Sequence, residues 1–512
     1  MYSNPIIWAD YPDPDVIRVE DTYYMVSTTM HMMPGCVILR SYDLIHWEVA
    51  THVYDELDST PAQRLQNGQH IYGKGMWAAS LRYHQGKFYV IFVANDTRKT
   101  YLYTSTSISG PWKKQYVDGF YHDCSLFFDE DDRIYLVHGN AEIYLTELKA
   151  DLSGPKPDGI QRLIVKEKQP YHLGYEGAHF YKINGKYYVF LIHITKATGR
   201  RTQAYYMADS LEGSFSGGDV FNDDMGYFNS GIAQGGIVDT PDGDWYSMLF
   251  QDHGAVGRIP VLVPLRFNNG VPEFASEAPK LVDIQSTRPE HCYKPLIGSD
   301  SFHYVTGEDG RIRLRDYWQW NHTPNENLWS VTDSPGVYRV WTGQISPNLT
   351  FAVNTLTQRS MGPACEAAVT LDGSGLNNGD YAGICFLIGT YGMIALTKKE
   401  DQFYLVMHAR SSEDSSIFGN LIDQNPATEY ARIPIADPVV TLKAYGHFVD
   451  NQDECSFAYL DGTEWRPLGI THKMIYKLDH FMGCRIGLFI YSTEVIGGRA
   501  DFSNFEYSVI MP

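Results

Sequence analysis

Asp13, Asp123 and Glu176 are the residues whose type and placing most invite chemistry. Each lies 11 or 12 residues ahead of a tyrosine in a short aromatic strand, namely Tyr24, Tyr135 and Tyr188. Trp77 and Gln234 stand 12 residues ahead of Tyr89 and Tyr246 in the same way. If the strands repeat one unit, the five positions are equivalent and converge on one axis. Packing alone would select apolar side chains there. Three acids in one funnel repel each other and lose hydration, so packing does not account for them. Such a cluster serves proton transfer or holds a cation. A hard cation would want more oxygen ligands, which favours catalysis.

The elements that must position these acids are legible as repeats. The strands are DTYYMV (21–26), GKFYVIF (86–92), DRIYLVH (132–138), GKYYVFL (185–191) and GDWYSML (243–249). Their tyrosines are spaced by 65, 46, 53 and 58 residues, the size of a four-stranded blade with loops of varying length. A second echo recurs in SYDLIHW (41–47), STSISGPW (105–112) and ADSLEGSF (208–215). Long helical periodicity is missing from 1–260. The expectation is an all-β chain opening with a five-bladed β-propeller, with a large β-sandwich as the competing reading.

At 512 residues the chain is too long for one ordinary core. The repeat ends after RFNNGVPEF (266–274), and strand signals thin out to about residue 310. Alternating segments such as CEAAVTL (365–371), AGICFLIG (382–389) and CRIGLFIYS (484–492) then suit two packed antiparallel sheets. The domains expected are a propeller over 1–300 and a β-sandwich over 311–512. The aromatic content of 14% fits β-sheet cores and also supplies flat platforms for sugar faces.

Net charge is −20 with no basic cluster long enough to follow a phosphate backbone, so nucleic acid is not an expected partner. No apolar run approaches a membrane span. The opening MYSNPIIWADYPDPD lacks the regions of a signal peptide, which leaves a cytoplasmic chain or one whose leader was removed. Seven scattered cysteines without CxxC spacing argue for buried thiols.

Four segments, taken in order, resemble glycoside hydrolase family 43, the family of β-xylosidases, α-L-arabinofuranosidases and arabinanases. They are NPIIWADYPDPDVIRV (4–19), DCSLFFDEDDRIYL (123–136), YEGAHFYKINGKYY (175–188) and GRIPVLVP (257–264). The resemblance implies that Asp13 is the general base, Glu176 the general acid, and Asp123 the residue that tunes and positions the acid. It implies that Arg258 meets the sugar in the innermost subsite. KGMWAAS resembles the family's W-A-P-S segment, which makes Trp77 a pocket wall; TTMHMMPG (28–35) makes His31 and Met33 lining candidates. An inverting glycosidase needs such a base and acid about 6.5–9.5 Å apart, with a water between.

The chain departs from the family at Gln234, where many relatives hold a histidine near a calcium-centred water cluster. His253 is then the candidate ligand for a structural calcium, with a buried structural histidine as the alternative; the chemistry itself requires no cofactor. RLRDYWQWNHTPNENLWSVTDSPGVYRVWTG (313–343) resembles the concanavalin-like β-sandwich that trails many β-xylosidases of the family. That domain is expected to support the propeller or lend it a loop. The expected activity is exo-acting, inverting release of xylose or arabinofuranose from xylo-oligosaccharides or arabinose-substituted oligosaccharides. The alternatives are an endo-arabinanase or endo-xylanase, or a carbohydrate-binding propeller without catalysis. Oligomeric state is left open, a homo-oligomer among the options.

Overall fold

The computed structural model describes residues 2–168, 171–414 and 416–511. Among these, the only helical segments are short 3₁₀ turns. Five four-stranded antiparallel sheets follow one another along the chain. Their first strands are Asp15–Val19, Met76–His84, Ser125–Phe128, Glu176–Ile183 and Ile237–Asp239. These strands meet around the ring, the fifth touching the first and its Ile237 N–H donating to the Tyr181 hydroxyl of the fourth, so they line the axis of a five-bladed propeller. The five repeated tyrosines all fall on the second strand of their blades. Alternation of side chains along these strands explains the pattern: one face fills the gap to the next blade.

A buried polar knot ties the blades together at the axis. Asp15 accepts from the Leu81 main-chain N–H (2.8 Å) and from Arg82 Nη1 (2.6 Å), and its Oδ1 meets His179 Nδ1 at 3.0 Å. Arg82 reaches on to Ser125 Oγ at 2.7 Å, so side chains of four blades are joined. Burial works to raise the Asp15 carboxyl, but Arg82 and His179 outweigh it and hold it at about 2.

Apart from a two-stranded pair, Tyr2–Ser3 with Leu281–Val282, the remaining strands form two eight-stranded antiparallel sheets packed as a sandwich. One sheet ends on a strand from the propeller: Met32–Met33 pairs with Gln319–Asn321, Met33 opposite Trp320. Trp318 and Trp320 lie in the large core that runs from this sandwich into the first blades, and Trp329 packs against it.

Candidate active site

Each acid owes its aim to a local break in its strand. Asp13 (φ 53°) and Asp123 (φ 47°) have left-handed backbone two residues before their strands begin, and Gln234 (φ 58°) has it three residues before the fifth. Aspartate tolerates this conformation better than most residues. In the second and fourth blades the break is a bulge, between Met76 and Ala79 and between Glu176 and His179. Such a bulge re-aims a side chain within or beside it, here Trp77 and Glu176. Gly177 serves the second bulge: its φ is 62°, and a Cβ there would sit 2.7 Å from the Gln234 side chain. The turn at Asp13 is pinned on both sides. Pro12 O accepts from Ser27 Oγ at 2.7 Å, and Pro14 O accepts from the Gly236 N–H at 3.0 Å.

Around this frame the sequence-predicted residues separate into two groups. Asp13, Asp123, Glu176, Arg258 and Trp77 come together. Arg258 Nη1 donates to Asp13 Oδ1 at 2.8 Å, and Thr28 Oγ1 donates to Asp13 Oδ2 at 2.7 Å. Arg258 Nε and Nη2 are buried with no protein acceptor, which leaves two donors for a ligand's hydroxyls. Burial opposes the Arg258 charge, but Asp13 outweighs it and raises its pKa.

His31 and Met33 do not join them. Both are fully buried. Met33 belongs to the shared core, and His31 stacks among Tyr72, His322 and His480. The expectation that they line the pocket is corrected, because pairing of 32–33 with the sandwich turns this segment into a domain contact. Met30 and Met32 instead back the Trp77 ring. His253 also stands apart. Its Nε2 bonds Gln251 Oε1 at 2.8 Å, its ring stacks on Tyr227 at 3.9 Å, and burial pushes its pKa down to about 3. It belongs to no group of three metal-capable side chains among the described residues, and its Nε2 is engaged by Gln251.

Several residues that sequence reasoning passed over complete the site. His122 Nε2 lies 3.1 Å from Glu176 Oε2 and 3.7 Å from Asp123 Oδ2. Asn140 Nδ2 also donates to Glu176 Oε2. Two partners thus hold one oxygen of Glu176. The negative charge of Asp123, above all, raises His122 to about 9. Burial, then Glu176 and Asp13, push the Asp123 carboxyl up to about 7, while His122 and Arg258 pull against them. The protonation of Asp123 and that of His122 are therefore linked.

The sandwich supplies one wall. The Phe481 ring lies 4.7 Å from the Arg258 guanidinium carbon and 5.5 Å from the Trp77 ring, which in turn is 5.7 Å from His122. Phe481 takes a left-handed backbone (φ 57°), a costly conformation for a bulky residue. Its N–H donates to Lys477 O at 2.9 Å, and the buried Lys477 ammonium donates to the carbonyls of Asp414, Ser416 and Phe418. The Gly483 N–H donates to Asp10 Oδ2 at 2.9 Å, anchoring the loop to the propeller. Tyr476, from the same loop, and Arg201, from the fourth blade, feel the charges of Arg258 and Asp13. The Asp-before-strand spacing finds the acids. Nothing in local sequence announces a loop that lies so far along the chain from Asp13, at Tyr476 to Gly483.

The profile described as glycosyl hydrolases family 43 matches residues 2–272, and that of the β-xylosidase C-terminal concanavalin A-like domain matches 311–508. This chain belongs to glycosyl hydrolase family 43. A protein of Formosa agariphila named beta-xylosidase is 27% identical, over 99% of this chain and 90% of its own length. A solved structure from Bacteroides eggerthii, described as a bifunctional GH43-CE protein, superposes with a TM-score of 0.90 at 40% identity. It matches all of this chain, which spans 64% of that longer protein. A second structure, at 26% identity and a TM-score of 0.88, covers 99% of this chain and 100% of its own. Its description is of an engineered family 43 enzyme with both endo-xylanase and exo-arabinofuranosidase activity. Membership makes the chain a glycosidase with a propeller and a concanavalin-like sandwich.

The charge arrangement gives a prediction with opposite signs at adjacent residues. His122→Gln removes the cation that faces both Glu176 and Asp123, so loss of the acid's proton, the alkaline limb of the kcat/KM profile, should move toward alkali. Asp123→Asn removes the negative charge that raises His122 and repels a charge on Glu176, so the same limb should move toward acid, with part of the activity surviving at low pH. Profiles of both variants check this. Limbs that stay put while rates fall uniformly would leave the two residues a purely positional role.

Proposed function

We propose that the chain is an exo-acting, inverting glycosidase that releases β-D-xylose, α-L-arabinofuranose or both from non-reducing ends of xylo-oligosaccharides or arabinose-substituted oligosaccharides. The observation that carries this reading is the Asp13–Arg258 pair capped by Phe481, with Glu176 held across the funnel by His122 and Asn140. A loop from the second domain standing over the funnel favours a chain end over the middle of a polymer. The names of the relatives point to the same two sugars.

Asp13, held by Thr28 and Arg258, takes a proton from water as the water oxygen bonds to the anomeric carbon. The glycosidic C–O bond breaks with its electron pair staying on the leaving oxygen, which receives the proton of Glu176. His122 and Asn140 then stabilise the carboxylate left behind. Asp123 sits behind this pair and adjusts its charge. No cofactor enters these steps.

Activity on p-nitrophenyl β-xylopyranoside and α-L-arabinofuranoside tests the exo assignment, since an endo enzyme or a lectin is inert on both. Proton NMR of the first-formed sugar should show the anomer opposite to the substrate. Retention would require a nucleophilic carboxylate about 5–5.5 Å from the acid and would end the assignment of Asp13 as base. Phe481→Ala should raise KM roughly tenfold, the loss of one aromatic wall of about 1.4 kcal/mol, with a smaller change in kcat. An unchanged KM would take Phe481 out of the sugar site.

A further inference from the structure

Two arginines oppose each other in the sandwich, and among the described residues no carboxylate forms an ion pair with either. Arg359 and Arg485 are directly paired residues on the neighbouring antiparallel strands Leu356–Arg359 and Arg485–Ser492. Both are buried, at 2% and 0% exposure. Like charges directly opposite each other destabilise a sheet, and a buried guanidinium without a counter-charge is costly. Arg359 gives its Nε to the main-chain carbonyl of Asp10 at 2.8 Å, and Arg485 its Nη1 to Gln319 Oε1 at 3.0 Å.

What remains is a set of donors without acceptors: Nη2 of Arg359, and Nε and Nη2 of Arg485. Tyr11 joins them from the propeller. The guanidinium carbon of Arg359 lies 4.0 Å from the centre of its ring, and its buried hydroxyl has no protein partner. His52 Nε2 is unpartnered as well and feels both arginines. Asp10, whose charge also reaches Arg485, has spent its oxygens on the N–H groups of Arg258 (2.8 Å) and Gly483 (2.9 Å). Burial keeps Tyr11 protonated and pushes His52 down to about 3, so neither supplies or removes charge near neutrality. Two cations face one carboxylate, and one positive charge is left over.

We propose that Arg359, Arg485 and Tyr11 together bind one monovalent inorganic anion of chloride's kind between propeller and sandwich. One negative charge balances the excess, whereas a divalent anion overshoots it. A spherical ion accepts N–H and O–H donors from several directions at once, which suits donors from two strands and a tyrosine. Binding is linked to the sugar site through Asp10. Its carbonyl holds Arg359, while its carboxylate fixes the main chain of Arg258 on one side of the funnel and of Gly483, two residues after Phe481, on the other.

The test uses the full chain at matched ionic strength in sodium gluconate and sodium chloride. Chloride titrated into the gluconate sample should raise the unfolding midpoint by about 2–4 °C, climbing with the logarithm of chloride concentration, as expected when a ligand binds only the folded state. Crystals grown or soaked in bromide should show an anomalous peak within hydrogen-bond reach of Arg359 Nη2 and Arg485 Nη2. Arg485→Met should abolish the chloride dependence; if that variant does not fold, the titration and the bromide map on the unaltered protein decide alone. Identical midpoints in both salts together with no bromide peak at the arginines mean that water fills the place, and the proposal falls. These readouts do not depend on glycosidase activity, so the proposed substrate and this site fail separately.

Discussion

Asp13→Asn should lower kcat/KM by roughly 10³–10⁴ on every substrate, good and poor leaving groups alike. The base acts on water, and an amide has no affinity for the water's proton. Because the loss lies on the nucleophile's side, a better leaving group does not rescue it. The amide oxygen can still accept from Arg258, but the ion pair becomes a neutral contact and leaves a buried cation unanswered. Breaking one partner of such a pair costs about 3–5 kcal/mol, so a lower unfolding midpoint should accompany the kinetic loss. Steady-state rates on aryl glycosides and on xylobiose, with calorimetry on the same samples, check both. A loss below tenfold in the folded variant would remove Asp13 from the reaction.

Glu176→Gln should show the complementary pattern. On unactivated oligosaccharides the rate should fall by about 10²–10⁴, the usual worth of a positioned proton donor. On aryl glycosides with strongly acidic leaving groups the loss should shrink to about tenfold or less, because such groups depart without a proton. His122 and Asn140 both donate to one oxygen of Glu176, so the glutamine should turn its carbonyl to them and its amide toward the sugar. Geometry is thereby kept while the proton is lost. The ratio of the two losses, measured on a series of leaving groups, is the decisive quantity. Equal losses across the series would count against an acid role.

The acids and their fold were legible because a propeller writes itself as a period. Equivalent positions on five strands have to face one axis, and the aromatic second strands mark the phase. His122 escaped notice although it adjoins Asp123. A histidine in a turn carries no signal until the strand bearing Glu176 is placed beside it. His31 and Met33 misled for the opposite reason. Their place in the chain matches a pocket wall, but a two-residue pairing with Gln319–Asn321 buries them, and so short a strand leaves no periodicity to read. Phe481 and Tyr476 depend on how the sandwich docks, and Arg359 with Arg485 on the register of two strands more than a hundred residues apart. Local pattern records which way a strand faces. It does not record what arrives on the other side.

That same Met32–Met33 strand bears on how such an enzyme can be inherited or re-engineered. The sandwich sheet is finished by a piece of the first blade, and the first blade is covered by that sheet, so neither half has a clean boundary to be cut along. Severing the chain between 300 and 311 would bare an unpaired strand edge at Gln319–Asn321 on one fragment and the apolar Met33 on the other, an invitation to misassociate. The catalytic half is thus not an interchangeable cassette. New specificities built on this scaffold have to vary its loops while keeping both halves as a matched pair, and lineages that exchanged sandwiches freely would have had to re-evolve the seam each time.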